Sequence, residues 1–159
     1  MTDKEDFPPL LGPGFHVKTM AELRAMCVDA FPLSITRGAI MAGFERFVAM
    51  LNAENIRGDI WVNGSFTTQK IDPEDVDVVL RVDVEFYENG TLEQKELMDR
   101  IGVEDFKSSH SCHAFIFYEF PAGDSLQGFG EWMRAYWIRQ FGFSRGMELK
   151  GLAVLTLGP

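Results

Sequence analysis

The apolar positions along the chain change period several times, and each change marks an element. Leu23, Met26, Cys27 and Ala30 recur at helical spacing behind Thr19-Met20-Ala21-Glu22. In that pattern a threonine and a glutamate three residues on can cap a helix start, so a short helix is predicted. Phe31-Pro32 ends it, because the residue before a proline is pushed out of the helical region. From about Ser34 to Asn52 the spacing is helical again, with Ile40, Phe44, Phe47, Val48 and Leu51 on one stripe. That is the clearest core-packing helix of the chain. Between Ile56 and Asn63 the run Ile60-Trp61-Val62 suits a buried strand.

From Asp75 to Val84 the period is two. Val76, Val78, Leu80, Val82 and Val84 point one way, and Asp75, Asp77, Val79, Arg81 and Asp83 the other. This predicts a half-buried strand with one polar face. Thr91-Leu92-Glu93-Gln94 is a second capping pattern, opening a helix to about Ile101 that Gly102 stops. His113 to Phe120 reads as an aromatic-rich strand, Pro121 to Gly130 as a loop, Glu131 to Phe141 as an aromatic helix, and Gly151 to Leu157 as a last apolar strand. Residues 1–18, with Phe7-Pro8-Pro9-Leu10 and Gly12-Pro13-Gly14, read as an extended arm without regular structure. The expectation is a single α/β (α+β) domain over residues 19–159, a mixed sheet with helices packed on it.

Composition narrows the partners. Lys+Arg total 15 and Asp+Glu 24 in 159 residues, a formal net charge of −9. Bulk binding to nucleic acid or an anionic membrane needs a basic face, so neither is expected. No stretch approaches the roughly 20 apolar residues that span a bilayer. The polar, acidic start Met1-Thr2-Asp3-Lys4-Glu5-Asp6 is not a secretory signal. With only Cys27 and Cys112, no disulfide framework or cysteine-rich zinc site is expected, and a reducing cytoplasm is the simplest location.

Candidate chemistry concentrates in one stretch. An apolar strand ends in Gly64-Ser65, nine residues follow, and Asp75-Val76-Asp77 then opens a second apolar strand. Glycine lets backbone approach a ligand closely. Serine adds a hydroxyl, and the amides of such a turn attract phosphate oxygens. Two carboxylates two residues apart on a strand face the same side, about 7 Å apart along the chain. A hard divalent cation relieves their repulsion. A phosphate cradle beside a metal-binding acid pair is equipment for phosphoryl or nucleotidyl transfer.

These residues resemble the signature of the nucleotidyltransferase superfamily, which has the DNA polymerase beta-like fold. The stretch from Trp61-Val62-Asn63-Gly64-Ser65-Phe66-Thr67-Thr68-Gln69-Lys70 to Pro73-Glu74-Asp75-Val76-Asp77 resembles a small, uncharacterised prokaryotic branch of it. So do the Pro8-Pro9 arm and the closing Lys150-Gly151-Leu152-Ala153-Val154-Leu155 strand. The resemblance implies that Ser65 contacts the triphosphate of an NTP substrate and that Asp75 and Asp77 bind Mg²⁺ or Mn²⁺. It also implies a third carboxylate near the start of a later strand. His113 stands there, with Glu119 at the far end, so Glu119 substitutes, His113 serves as base or ligand, or the third acid is absent.

Other residues carry bland alternatives. Lys70 reaches a phosphate or is a solvated loop lysine. Arg145 and Lys150, beside the glycine-rich segment Gly142-Phe143-Ser144-Arg145-Gly146, carry phosphate binding as an alternative but are read as solvated, as isolated cations beside loops usually are. Trp132, Tyr136 and Trp137 are read as core or interface, with a homodimer contact as one use. The functional expectation is transfer of an NMP from an NTP to a hydroxyl of a protein, an RNA end or a small molecule. The alternative is a catalytically weak or inactive binding module of the same fold, such as half of a toxin–antitoxin or phage-defence pair.

Overall fold

The computed structural model describes residues 4–158, so the first three residues of the arm and Pro159 lie outside the described residues. Five strands form one mixed sheet in the order β1-β5-β2-β3-β4. They are β1 (Gly14–Val17), β2 (Gly58–Asn63), β3 (Val76–Asp83), β4 (Cys112–Glu119) and β5 (Gly151–Leu157). β1 runs parallel to β5 and β3 parallel to β4, while β2 is antiparallel to both its neighbours. The helices are α1 (Met20–Arg24), α2 (Arg37–Ala53), α3 (Val84–Glu88), α4 (Leu92–Arg100), α5 (Lys107–His110) and α6 (Gln127–Gly142). This is an α+β fold. No described helix is long and apolar enough to cross a membrane.

The expected stripe of α2 is buried in full, and its Phe44, Phe47 and Leu51 lie in the main core with Val76, Val78, Leu80 and Val82 of β3. Both capping patterns form. Thr19 Oγ1 accepts from the Glu22 N–H, and Thr91 and Gln94 make reciprocal bonds. The first helix continues past Arg24 as a turn of π-helix to Asp29, before Phe31 is reached.

Four expectations need correction. The arm is not wholly irregular: Gly14–Val17 is the edge strand of the sheet, recruited by backbone bonds to β5 and not by any apolar alternation. Val84 leaves the strand row and starts α3, although its apolar side chain fits the alternation. The polar face of β3 is interrupted, because Val79 is buried with Trp61, Phe117, Leu152 and Val154 under Trp137 and Phe141 of α6. Of the aromatic helix, only Trp137 joins that core among the three aromatics singled out. Trp132 and Tyr136 are exposed and stack on each other at 5.9 Å.

The connection between β2 and β3 has almost no regular structure beyond a 3-10 turn at Ser65–Thr67. A buried arginine takes the place of a hydrogen-bond ladder. Arg37 Nη1 donates to the carbonyls of Cys27 (2.8 Å) and Phe66 (2.6 Å). Its Nη2 donates to Thr68 (2.7 Å) and Lys70 (2.6 Å), and its Nε to Lys70 (3.2 Å). Each guanidinium N–H is thereby used. The group also stacks on Phe31, 3.7 Å from the ring centroid. Asp72 secures the other end of the connection by accepting from Ile35 N–H and the Ser34 hydroxyl, just before α2. Arg37→Leu strands four buried carbonyls at once. It is expected to cost about 3 kcal/mol or more, a fall in melting temperature of roughly 6–12 °C for a domain of this size. Arg37→Lys, with fewer and unforked donors, should not restore it. A circular-dichroism melt of the leucine variant within 2 °C or so of wild type would remove Arg37 from this role.

Candidate functional site

The register of β2, β3 and β4 lines up polar residues at one end of the sheet. Asn63 of β2 stands opposite Asp77 of β3, and Asp77 stands opposite His113 of β4. All three lie on the face that α6 covers farther along, where Trp61, Val79 and Phe117 are dry. The apolar run of β2 ends at Asn63, whose side chain is consumed locally. Its Oδ1 accepts from the Gly64 N–H (2.8 Å) and its Nδ2 donates to the Gly151 carbonyl (3.2 Å).

Gly64 then takes φ 85°, ψ −163°, a conformation that L side chains rarely adopt. The reason lies across the sheet. A Cβ on Gly64 would collide with Asp77 Oδ2 and sit 2.9 Å from its Cγ. The glycine therefore brings the turn directly against the aspartate. Ser65 opens the 3-10 turn, and its hydroxyl makes no hydrogen bond among the described residues. The first N–H groups of such a turn have no acceptor within it.

The two acids are held differently. Asp75, just before β3, pairs with Lys107 Nζ of α5 at 2.8 Å. Asp77 Oδ1 meets His113 Nδ1 at 3.1 Å, and the imidazole is about half exposed. Burial, and then the nearby charge of Asp75, raise the Asp77 carboxyl above its ordinary value of 3.8, with His113 and Lys150 opposing. Burial lowers Lys150, while the charges of Asp6 and Asp77 favour its ammonium. The contact with Asp75 raises Lys107.

Gly64, Ser65, Asp75, Asp77 and His113 thus share one corner. Glu119 does not. It lies six residues along β4, level with Asp83, and is bound by Arg81 Nη1 (2.7 Å) and Arg134 Nη1 (2.6 Å). The rise per residue puts it about 20 Å from the His113 position, so it cannot serve as the third carboxylate. Lys70 also stays apart from the acids. Its ammonium lies 5.9 Å from the Phe7 ring centroid, and it makes no ion pair among the described residues. Lys107 is the corner residue that sequence reasoning passed over, and it is brought in by α5, a helix too short to show a period. In the sequence Asn63 reads only as part of the motif, and Lys150, weighed as a phosphate binder, reads as solvated.

Among the described residues no group of three or more His, Cys, Asp or Glu side chains forms a metal cage. Two carboxylates converge, with Asp77 under charge repulsion and Asp75 neutralised by an ammonium. That donor set fits Mg²⁺, which keeps several waters and is commonly held by one or two carboxylates together with substrate phosphates. It does not fit a closed structural site.

Fold and site together define an α+β domain with a Gly-Ser turn pressed against an acid pair at one end of a mixed sheet. The chain belongs to a family of unknown function, DUF6932, whose profile matches residues 4–156. No curated protein and no solved structure matches it.

Because the native state holds the Asp77 proton to higher pH than the unfolded chain does, stability falls as pH rises from 3.8 through the elevated native value, then stays reduced. Asp77→Asn keeps an acceptor for His113 and removes this loss. The variant should melt above wild type at pH 7, by about 2–4 °C if the gain is about 1 kcal/mol. The gap should close as pH falls below 3.8. A pH series of thermal melts in which the gap is constant would contradict this.

Proposed function

We propose that the protein is a divalent-metal-dependent nucleotide-binding protein of the nucleotidyltransferase type, which moves an NMP from an NTP to a hydroxyl. The observation that carries this reading is the contact of Gly64 with Asp77. It joins a glycine-serine turn with an unengaged hydroxyl to a buried carboxylate, Asp77, that the charge of Asp75 opposes. A turn alone, or an acid pair alone, would be an ordinary surface feature.

Asp75 and Asp77 would hold Mg²⁺ together with the nucleotide's phosphates. When bound, the ion would supply charge neutralisation of the triphosphate. The remaining chemistry belongs to the chain. Ser65 Oγ would donate to a phosphate oxygen, and Gly64 would let that phosphate approach the backbone. Lys107 would release Asp75 and remain beside the anion. With Asp77 Oδ1 accepting from a protonated Nδ1, the Nε2 of the half-exposed His113 would be the basic nitrogen. In that tautomer His113 would take the proton of an acceptor hydroxyl, the task otherwise given to a carboxylate.

A second reading has its own observation. The position level with Asp77 on β4 carries a histidine and not an acid, and Glu119 is engaged elsewhere. A site with two carboxylates would bind a nucleotide and transfer it slowly or not at all, as a binding module does.

Calorimetric titration of each NTP with Mg²⁺ tests the first step. Wild type should bind at least one NTP in a metal-dependent manner, and the Asp75→Asn/Asp77→Asn variant should weaken it about tenfold or more. Equal binding by the double variant would sink the site assignment. If the NTP binds, turnover separates the two readings. Diphosphate release that His113→Gln lowers about a hundredfold is the size of a general-base contribution, whereas absent turnover favours the binding module.

A further inference from the structure

Lys150 is a cation near this corner whose side chain the fold leaves without a bonded partner among the described residues, with the charge of Arg145 opposing it further. Lys107 is spent on Asp75, Arg81 and Arg134 on carboxylates at the far end of the face, and Arg37 on carbonyls. Among the described residues Lys150 has no carboxylate within ion-pair distance and donates no side-chain hydrogen bond. Its backbone is nevertheless fixed. Its N–H donates to the Gly142 carbonyl at the end of α6 (2.9 Å), and the next N–H, of Gly151, donates to Leu11 (3.1 Å).

Register gives its direction. The carbonyl of Gly151, the residue after Lys150, accepts from Asn63 Nδ2 (3.2 Å), and Asn63 stands opposite Asp77, so the backbone at Lys150 enters this corner. Lys150 alternates with Leu152 and Val154, which places it on the α6 face with Asp77. A desolvated ammonium without an anion is costly in any fold. Two charges compensate it from a distance, Asp6 ahead of Asp77. Asp6 belongs to the arm, and its Oδ2 is held by the Gly146 N–H (3.1 Å) in the hairpin that leads into Lys150.

We propose that Lys150 is an oxyanion anchor of this site, taking the outer phosphates of a polyphosphate chain. The identity of the ligand as a nucleotide rests on the reading given above, but the anchor itself is a site for polyphosphate oxygens. A phosphate chain bound at the Gly64-Ser65 turn would have Lys150 on the same face of the sheet, one residue before the Gly151 carbonyl that Asn63 binds. It would replace a distant carboxylate with a direct charge-assisted hydrogen bond.

The test uses inorganic tripolyphosphate without metal, and separately ATP with Mg²⁺, titrated into wild type, Lys150→Gln, Lys150→Arg and Asp6→Asn. Lys150→Gln should weaken tripolyphosphate about tenfold or more, the size of a hydrogen bond to a charged group. Lys150→Arg should retain most of the binding. Asp6→Asn should tighten it about threefold, as removal of one exposed competing charge allows. Thermal melts report folding, and Lys150→Gln should melt no lower than wild type because it loses an unpaired buried charge. Tripolyphosphate binding that is absent from wild type, or equal in Lys150→Gln, overturns the anchor. Tripolyphosphate held through Lys150 with no NTP bound keeps the anchor and removes the nucleotide reading. Metal-dependent ATP binding unchanged by Lys150→Gln does the reverse.

Discussion

The geometry of the candidate site depends on one buried guanidinium. Arg37 donates to the carbonyls of Phe66, Thr68 and Lys70, so it dictates the path of the chain between the Gly64-Ser65 turn and Asp75. A stretch with little regular structure would otherwise bury orphan carbonyls, which is why long irregular connections usually stay at the surface. The same guanidinium reaches Cys27, at the π-turn that continues the first helix, and itself begins α2. The arm then adds itself to the organised connection, with Leu10 N–H donating to Thr67 and Gln69 N–H to Pro8. Arm, first helix, α2 and the β2–β3 connection are thus set by one charge that has no carboxylate bonded to it. Burial lowers its pKa, yet its donors are all satisfied, so it stays an internal cross-link.

The face of the sheet that carries the site is divided by α6 into two polar ends with a dry middle. At the far end, Arg81 binds Asp59, Asp83 and Glu119, and Arg134 adds to Glu119. There the acids are neutralised in place. At the near end, Asp77 has only a histidine and Lys150 has no bonded anion. The contrast is informative because both ends share strands, face and covering helix. Fold stability alone would favour the treatment seen at the far end.

Much of this was legible in the chain. The stripe of α2, both capping patterns, and β3 and β5 follow from periodicity that burial then enforces. What periodicity missed has physical causes. β1 joins the sheet through its backbone, which leaves little side-chain record. α3 opens on a valine that continues the strand alternation, and Lys107–His110 is too short to show a period. Nothing in the sequence around Arg37 shows the carbonyls that it binds, because they come from Cys27 and from the β2–β3 connection. Gly64, Ser65, Asp75 and Asp77 were visible as a spaced motif, because the spacing is local. Lys107 was not, since its place depends on how α5 packs, and the part of Asn63 and Lys150 in the corner depends on which strands become neighbours. Glu119 was a candidate only because sequence gives its strand but not its distance from the site.

The near end also concentrates features that a purely structural corner has no use for. Gly64 lies where any side chain would strike Asp77, and Gly151 lies where a Cβ would strike the Gly12 carbonyl. Both glycines give up chain entropy to let backbone close in. Asp77 is destabilised by burial and by Asp75, and Lys150 by burial. Each of these weakens the native state, and they meet at the end of one sheet face. Such terms persist when something outside the chain offsets them. A ligand that brings cations for the acids and anionic oxygens for the lysine offsets all of them together. A metal–polyphosphate has that composition, and neither a simple cation nor a simple anion does.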